Sequence, residues 1–343
     1  MQCASELILA SRTSLFYRVN SLVQIVVCIL TVIFSFRAFK LLYRRNVFND
    51  STRQLLFMSI VYADLHSLAF GVLQFWSLYR SIAFSDDPCG VMFTGTECYA
   101  LTWLTGAAKM SMISVQAALT LERFLGRVLS LFGTSKQFHH QGIVFNVIVA
   151  TVAIGINTYS YSEGPTNNQI PSCLMQRDIP LLRVLYILVL YFIVAFICLV
   201  LNTVIIYSLK RPKKKSFDLA VRFTIQEVKN SSLAVCVVSV AQFITMTIYV
   251  TGSYLLFVFQ HSFSPEYFSN VILCLYTIPY AAMCLPVSVI YCIRWISEQR
   301  KIKIGEMTRT NQNENLDSRM SALKDVWNAA GKKSTKLGPV KKF

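Results

Sequence analysis

Seven stretches of this chain are apolar over about twenty residues or more, the length a helix needs to cross a hydrocarbon core of roughly 30 Å. They cover residues 20–42, 54–78, 99–121, 142–161, 181–209, 231–259 and 269–293. They are too long for barrel strands and do not alternate polar with apolar, so the pattern predicts helices. Composition points the same way. Apolar residues make up 54% of the 343 and charged residues only 15%, against about 25% charged in a soluble domain. So few charges do not clothe a soluble surface, and so apolar a chain does not stay disordered. The expected fold is an all-α membrane protein, a seven-transmembrane helical bundle over residues 20–293. Residues 1–19 precede it and a polar tail, residues 294–343, follows.

The charges set the expected orientation. The formal net charge is +16, which suggests a nucleic-acid partner only until the charges are located. Segments on the amino-terminal side of the bundle hold five Lys and Arg; the opposite segments hold 27. That asymmetry predicts the amino terminus outside and the tail in the cytoplasm. The basic excess is thus a topology signal and a contact for anionic lipid, and no nucleic-acid partner is expected. Residues 1–19 contain no apolar core of the signal-peptide kind, so the first span is expected to direct insertion. Both Asn-x-Ser/Thr sequons, Asn49 and Asn230, fall on the expected inner side, where no glycan is added. Four of the ten cysteines, Cys3, Cys89, Cys98 and Cys173, fall outside, where disulfides persist. Four cysteines allow three pairings. The remaining six sit in or beside apolar runs, where a thiol behaves as a small hydrophobe.

The third run carries the most specific pattern. Cys98 stands at its outer end and Glu122-Arg123-Phe124 at its inner end, 25 residues from Cys98 to Arg123. At 1.5 Å per residue that is roughly one crossing. Seven helices with this spacing resemble rhodopsin-like G-protein-coupled receptors. The resemblance implies a Cys98–Cys173 bridge and leaves Cys3 and Cys89 as the other two, a pairing that stays open. It also implies a switch role for Arg123, with Glu122 as its resting partner. Glu227, level with Arg123 near the inner end of helix 6, is a second candidate partner. The plainer reading of Arg123 is a cation that snorkels to the interface.

Tyr62-Ala63-Asp64-Leu65 in helix 2 resembles the corresponding stretch of the same receptors. Asp64 and Lys109 are ionisable groups near mid-membrane, which are functional by default. They either pair and lock helix 2 to helix 3, or Lys109 faces the outer pocket and meets an anionic or carbonyl ligand. Helix 7 keeps Pro286 but has Val289 where those receptors place Tyr, and helix 6 lacks their Cys-Trp-x-Pro kink. Helix 7 has no Lys for a retinal Schiff base, and Thr105 stands where amine receptors place Asp.

Cys3-Ala4-Ser5-Glu6, Arg12-Thr13-Ser14-Leu15, Leu121-Glu122-Arg123-Phe124, Arg222-Phe223 with Glu227, and Pro171-Ser172-Cys173 together resemble the nematode chemosensory receptors of serpentine receptor class alpha. The resemblance implies a receptor in the plasma membrane, in sensory neurons that of the cilium. It would recognise an external small molecule and activate a heterotrimeric G protein by conformational change.

A ligand pocket between the outer halves of helices 3, 5, 6 and 7 would draw on Trp103, Thr105, Lys109, Tyr186, Tyr254 and Tyr276. Most aromatic residues in such a chain simply pack against lipid or neighbouring helices. The run Lys210-Arg211-Pro212-Lys213-Lys214-Lys215 is a charged inner face that can touch lipid or a G protein, and a basic amphipathic stretch from Arg294 is expected to lie on the membrane. Cys292 is a candidate for palmitoylation. No metal site is expected, since His66, His139, His140 and His261 are scattered, and no phosphate-binding glycine loop or other cofactor motif is present. An enzyme is therefore not expected. The alternative to a receptor is a seven-helix ligand-gated channel or transporter, for which Asp64 and Lys109 would suit an ion path; no repeated half or paired broken helix favours it.

Overall fold

The computed structural model describes residues 3–45, 47–131, 141–162, 164, 167–173, 181–210, 219–259, 271, 273–313, 320–321 and 324. The chain divides into two compact units, Met1–Ile293 and Arg294–Phe343. In chain order the elements are α1 (Glu6–Thr13), α2 (Leu15–Arg44), α3 (Asp50–Ala83), β1 (Phe93–Thr94), α4 (Gly95–Leu131), α5 (Gln141–Ser160), β2 (Gln169–Ile170), α6 (Leu181–Lys210), α7 (Leu219–Val258) and α8 (Ile278–Asn313).

Local chemistry fixes several helix starts. The Ser14 hydroxyl accepts from the Tyr17 amide at 3.2 Å and opens α2, and Asn49 accepts from the Asp50 amide at 2.8 Å and opens α3. Each satisfies a donor that the first helical turn leaves free. Ser5 does the same for α1, accepting from Ile8 N.

Among the described residues, six helical stretches are long and apolar enough to cross a membrane: Leu15–Arg44, Asp50–Ala83, Gln141–Ser160, Tyr186–Ser208, Ser231–Leu256 and Leu273–Ile302. The helix of the third run, α4, is 37 residues long. Its buried face carries Thr102, Thr105, Ser111, Gln116 and Thr120, which dilute its hydropathy. The helices pack through a common core that includes Phe70, Met110, Ile113, Ile187, Tyr191, Met246 and Tyr276.

Between apolar helices the hydrophobic effect gives little preference for protein over lipid, so close packing and interhelical hydrogen bonds carry association. Both are present. Gly106 of α4 lies so close to Asn157 of α5 that a β-carbon there would collide with its amide oxygen, and Asn157 Nδ2 donates to the Trp103 carbonyl at 2.9 Å. Asn202 of α6 donates to Thr120 of α4 at 3.0 Å and to Ser239 of α7 at 3.1 Å. Gln24 of α2 donates to the Leu273 carbonyl at 2.9 Å, and the Thr277 hydroxyl donates to the Thr245 carbonyl of α7 at 3.0 Å.

The seventh apolar run is not one continuous helix. The sequence predicts it unbroken over 269–293, whereas the chain leaves helical geometry at Tyr276 and Thr277 and α8 begins at Ile278. Pro279 explains the break: it has no N–H for the carbonyl four residues earlier, and its ring crowds that carbonyl. The Thr277 carbonyl instead receives the Tyr280 and Ala281 amides, both at 3.1 Å.

Candidate functional site

Three polar clusters lie along α4, at its Cys98 end, its middle and its Arg123 end.

The Cys98 end is stapled twice. Cys98 is bonded to Cys173, with Cα atoms 5.3 Å apart, and Cys3 to Cys89, 4.6 Å apart. The first bridge holds β2 beside β1 as a two-stranded antiparallel sheet, Phe93 opposite Ile170. The second brings the chain ahead of α1 to the α3–β1 connection, where the Ala4 amide donates to the Pro88 carbonyl at 3.0 Å. Beneath them Arg12 is only 1% exposed. Its guanidinium lies 4.3 Å from the ring centre of Tyr17 and 5.5 Å from that of Phe93. It donates to the Tyr17 hydroxyl and, at 3.0 Å, to Ser77 of α3. Burial pulls this guanidinium below its ordinary value; Tyr17 opposes that and the neighbouring Arg80 adds to it. Arg80 stacks over Phe93 at 4.5 Å and pairs with Glu97 at 3.1 Å.

In the middle of α4, Cys98, Thr102, Thr105, Lys109, Met112 and Gln116 recur every three or four residues and so form one face. All but Lys109 are buried, while Ala100 and Leu104 on the opposite face are exposed. The surface that Lys109 keeps accessible therefore lies within the bundle. Lys109 is close enough to His66 of α3 for their charges to interact. His66 Nε2 is 3.0 Å from the Tyr276 hydroxyl, and its buried Nδ1 has no partner. Phe70 and Tyr249 pack against Tyr276, their ring centres 5.0 and 5.6 Å from its own. Asp64 does not join them. It lies near Ser35 of α2 with its buried Oδ1 unbonded, and no ion pair links it to Lys109 among the described residues. Two residues apart on a helix means about 200° of rotation, so Asp64 and His66 serve opposite neighbours.

At the other end Glu122 and Arg123 are both buried. Arg123 Nε lies 3.3 Å from Glu122 Oε2. Thr52 of α3 sits between them: its hydroxyl donates to Glu122 at 3.0 Å and accepts from Arg123 at 2.7 Å. Arg123 also donates to Ser231 of α7. The arginine thus ties three helices, α3, α4 and α7, at one point.

Some expected site residues do not come together. Tyr186 and Tyr254 are 75% and 52% exposed. Tyr186 continues the outward stripe of Leu190, Ile193, Ile197, Val200 and Val204 on α6, and Tyr254 adjoins Ile248, Leu255 and Val258 on α7. Their helices are rotated so that these rings face out of the bundle, as any tyrosine on such a stripe must. Thr105 is buried, with its hydroxyl donated to its own helix at Leu101, and Trp103 is half-buried. Phe124 is largely outward and Pro286 is buried within α8. The Glu227 side chain, the basic run from Arg211 to Lys215 and the tail after residue 324 lie outside the described residues.

His66, Thr52, Ser231 and Asn202 were not singled out from sequence. A histidine in an apolar run is a signal that could have been used; small hydroxyl residues at helix interfaces carry none. A further groove of about 650 Å³ lies between α2, α3 and α5, lined by residues such as Leu42, Phe57, Ile143 and Val147. It holds none of the expected ligand residues.

Long apolar helices, packed through polar contacts and closed at one end by disulfides, define a multi-pass membrane protein. The profile described as "Serpentine type 7TM GPCR chemoreceptor Sra" matches residues 1–327, and the chain belongs to that family. It is 27% identical to serpentine receptor class alpha-10 of Caenorhabditis elegans over 95% of this chain and 97% of the relative. It is 28% identical to class alpha-32 of the same species over 92% and 93%, and 27% identical to class alpha-10 of Caenorhabditis briggsae over 95% and 97%. The protein is accordingly a chemoreceptor of the serpentine type.

Proposed function

We propose that α4 completes a seven-helix bundle, with the Cys98 end outside, and that the protein binds an external small molecule and activates a heterotrimeric G protein. The plasma membrane, in sensory neurons that of the cilium, is where such a receptor would meet its cue. Residues 1–19 form the outer cap, 20–293 the signalling bundle and 294–343 the cytoplasmic tail. Ligand occupies the chamber beside Lys109, His66 and Tyr276; Arg123, Glu122 and the neighbouring end of α7 meet the G protein.

The observation that supports this best is the bond network of Arg123. A buried guanidinium bound to α3 and α7 at once is a device with two discrete arrangements, bonded and released. Ligand that prefers the released arrangement shifts the population toward it. Freeing α7 from Arg123 opens the face between α3, α4 and α7. The protein then acts by conformational change, with no bond made or broken in the ligand.

The test is reconstitution with a G protein, recording nucleotide exchange and membrane current together while odorants are applied. The reading expects exchange without current, and its loss in Arg123→Ala at matched surface expression. Current that survives both Arg123→Ala and removal of the G protein would establish a channel instead.

A further inference from the structure

Lys109 points to the chemistry of the ligand. We propose that the chamber takes a small organic anion, a carboxylate in particular, whose charge is neutralised by the Lys109 ammonium. The inference rests on the chamber being the ligand site.

Charge comes first. An ammonium held away from bulk water is costly unless a counter-ion accompanies it. Among the described residues no carboxylate pairs with Lys109. Among the described residues, Glu122 is held by Thr52 and Arg123, while Asp64 makes no ion pair and lies about 200° around α3 from His66. The partner that the protein does not supply is left for the ligand to bring.

The surroundings agree with an anion. His66 Nε2 shares a hydrogen bond with the Tyr276 hydroxyl, and its buried Nδ1 has no partner. Nδ1 is thus a second polar atom near Lys109, and it donates to an anion in the tautomer whose Nε2 accepts from Tyr276. Further along the same face of α4, Gln116 is buried with both amide atoms unpartnered, so the polar lining continues past Lys109. An amine would be repelled here. A neutral carbonyl would take a hydrogen bond but leave the ammonium charge uncompensated. The rings of Phe70, Tyr249 and Tyr276 are the apolar neighbours of this region, so the body behind the carboxylate is expected to be apolar and small.

The experiment uses the whole receptor in lipid nanodiscs and matched probe trios: hexanoate, hexanamide and hexylammonium, then phenylacetate, phenylacetamide and phenethylammonium. Thermal unfolding and G-protein nucleotide exchange are read on wild type, Lys109→Arg and Lys109→Gln. The carboxylates should stabilise the wild type at concentrations roughly ten- to a hundred-fold below those their amides need, the span of one charge-assisted hydrogen bond. Lys109→Arg should keep that preference and Lys109→Gln should abolish it. Equal effects of acid and amide, a preference for the ammonium, or no shift of wild-type melting by any carboxylate at millimolar concentration would overturn the proposal. Should Lys109→Gln not fold, the wild-type trio and Lys109→Arg still decide it. The two readings fail separately. Stabilisation by carboxylate without nucleotide exchange removes the signalling role and keeps the anion site. Exchange driven by a neutral compound and indifferent to Lys109→Gln does the reverse.

Discussion

The two ends of α4 are both polar and both buried around an arginine, yet they are built for opposite purposes. At the Cys98 end, Arg12 lies between aromatic rings under a cap closed by two disulfides and a short sheet. Moving it would mean unstacking Tyr17 and Phe93 and unfolding covalently tied loops. At the other end, among the described residues, Arg123 is held by side-chain bonds to Glu122, Thr52 and Ser231. Interhelical hydrogen bonds of that kind contribute about 0.6 kcal/mol each in a membrane protein, so α7 can part from α4 at small cost. On the proposed function, the same residue type serves as a fixed post where covalent bonds and aromatic stacking surround it, and as a latch where exchangeable hydrogen bonds do.

Mutations should break the comparison in a definite order. Cys98→Ser has the largest effect. It opens a loop of 75 residues, for which chain entropy alone predicts about 4 kcal/mol; thermal melting in nanodiscs should fall sharply and surface expression should drop. Arg12→Leu comes next. It removes the hydrogen bonds that Arg12 donates to Tyr17 and Ser77, whose hydroxyls keep their bond to one another, and its stacking on Tyr17, a loss of about 1–3 kcal/mol, again read by melting, with basal nucleotide exchange unchanged. Ser231→Ala is the smallest in stability, under about 1 kcal/mol, but it acts on the latch. Basal G-protein exchange should rise while the melting temperature barely moves. A Ser231→Ala receptor with unchanged basal exchange, or an Arg12→Leu receptor with raised exchange and normal melting, would reverse the roles assigned to the two ends.

Legibility in the sequence followed the scale of the signal. Apolar runs of twenty residues mark helices because desolvation acts on every residue in them, and all seven runs are helical over most of their described length. The stretches that carried the family resemblance have physical uses in the structure: Ser5 and Ser14 start helices, Cys3 closes a bridge and Arg12 is the buried post. Which way a side chain faces was less legible. The depth of Tyr186 and Tyr254 in their runs suits an outer pocket, but an almost uniformly apolar helix gives no moment to fix its rotation, so depth says nothing about facing. Lys109 is legible as unusual, yet the choice between Asp64 and a ligand depends on the rotation of α3, which sets Asp64 and His66 on different faces and His66 against Tyr276. The break at Tyr276 and Thr277 was available in Pro279 and was hidden by the continuity of the apolar run.

The central claim is that the Arg123 end opens while the Cys98 end stays fixed. Spin-labelled noncanonical residues, which leave the native cysteines alone, would report it in pulsed distance measurements. One pair replaces Tyr43 of α2 and Lys229 of α7 at the Arg123 end; the other replaces Phe16 of α2 and Tyr254 of α7 at the Cys98 end. Addition of nucleotide-free G protein with an activating ligand should lengthen the Tyr43–Lys229 distance by several ångströms and leave the Phe16–Tyr254 distribution unchanged. No change in the first pair while nucleotide exchange proceeds, or a larger change in the second, would contradict the account.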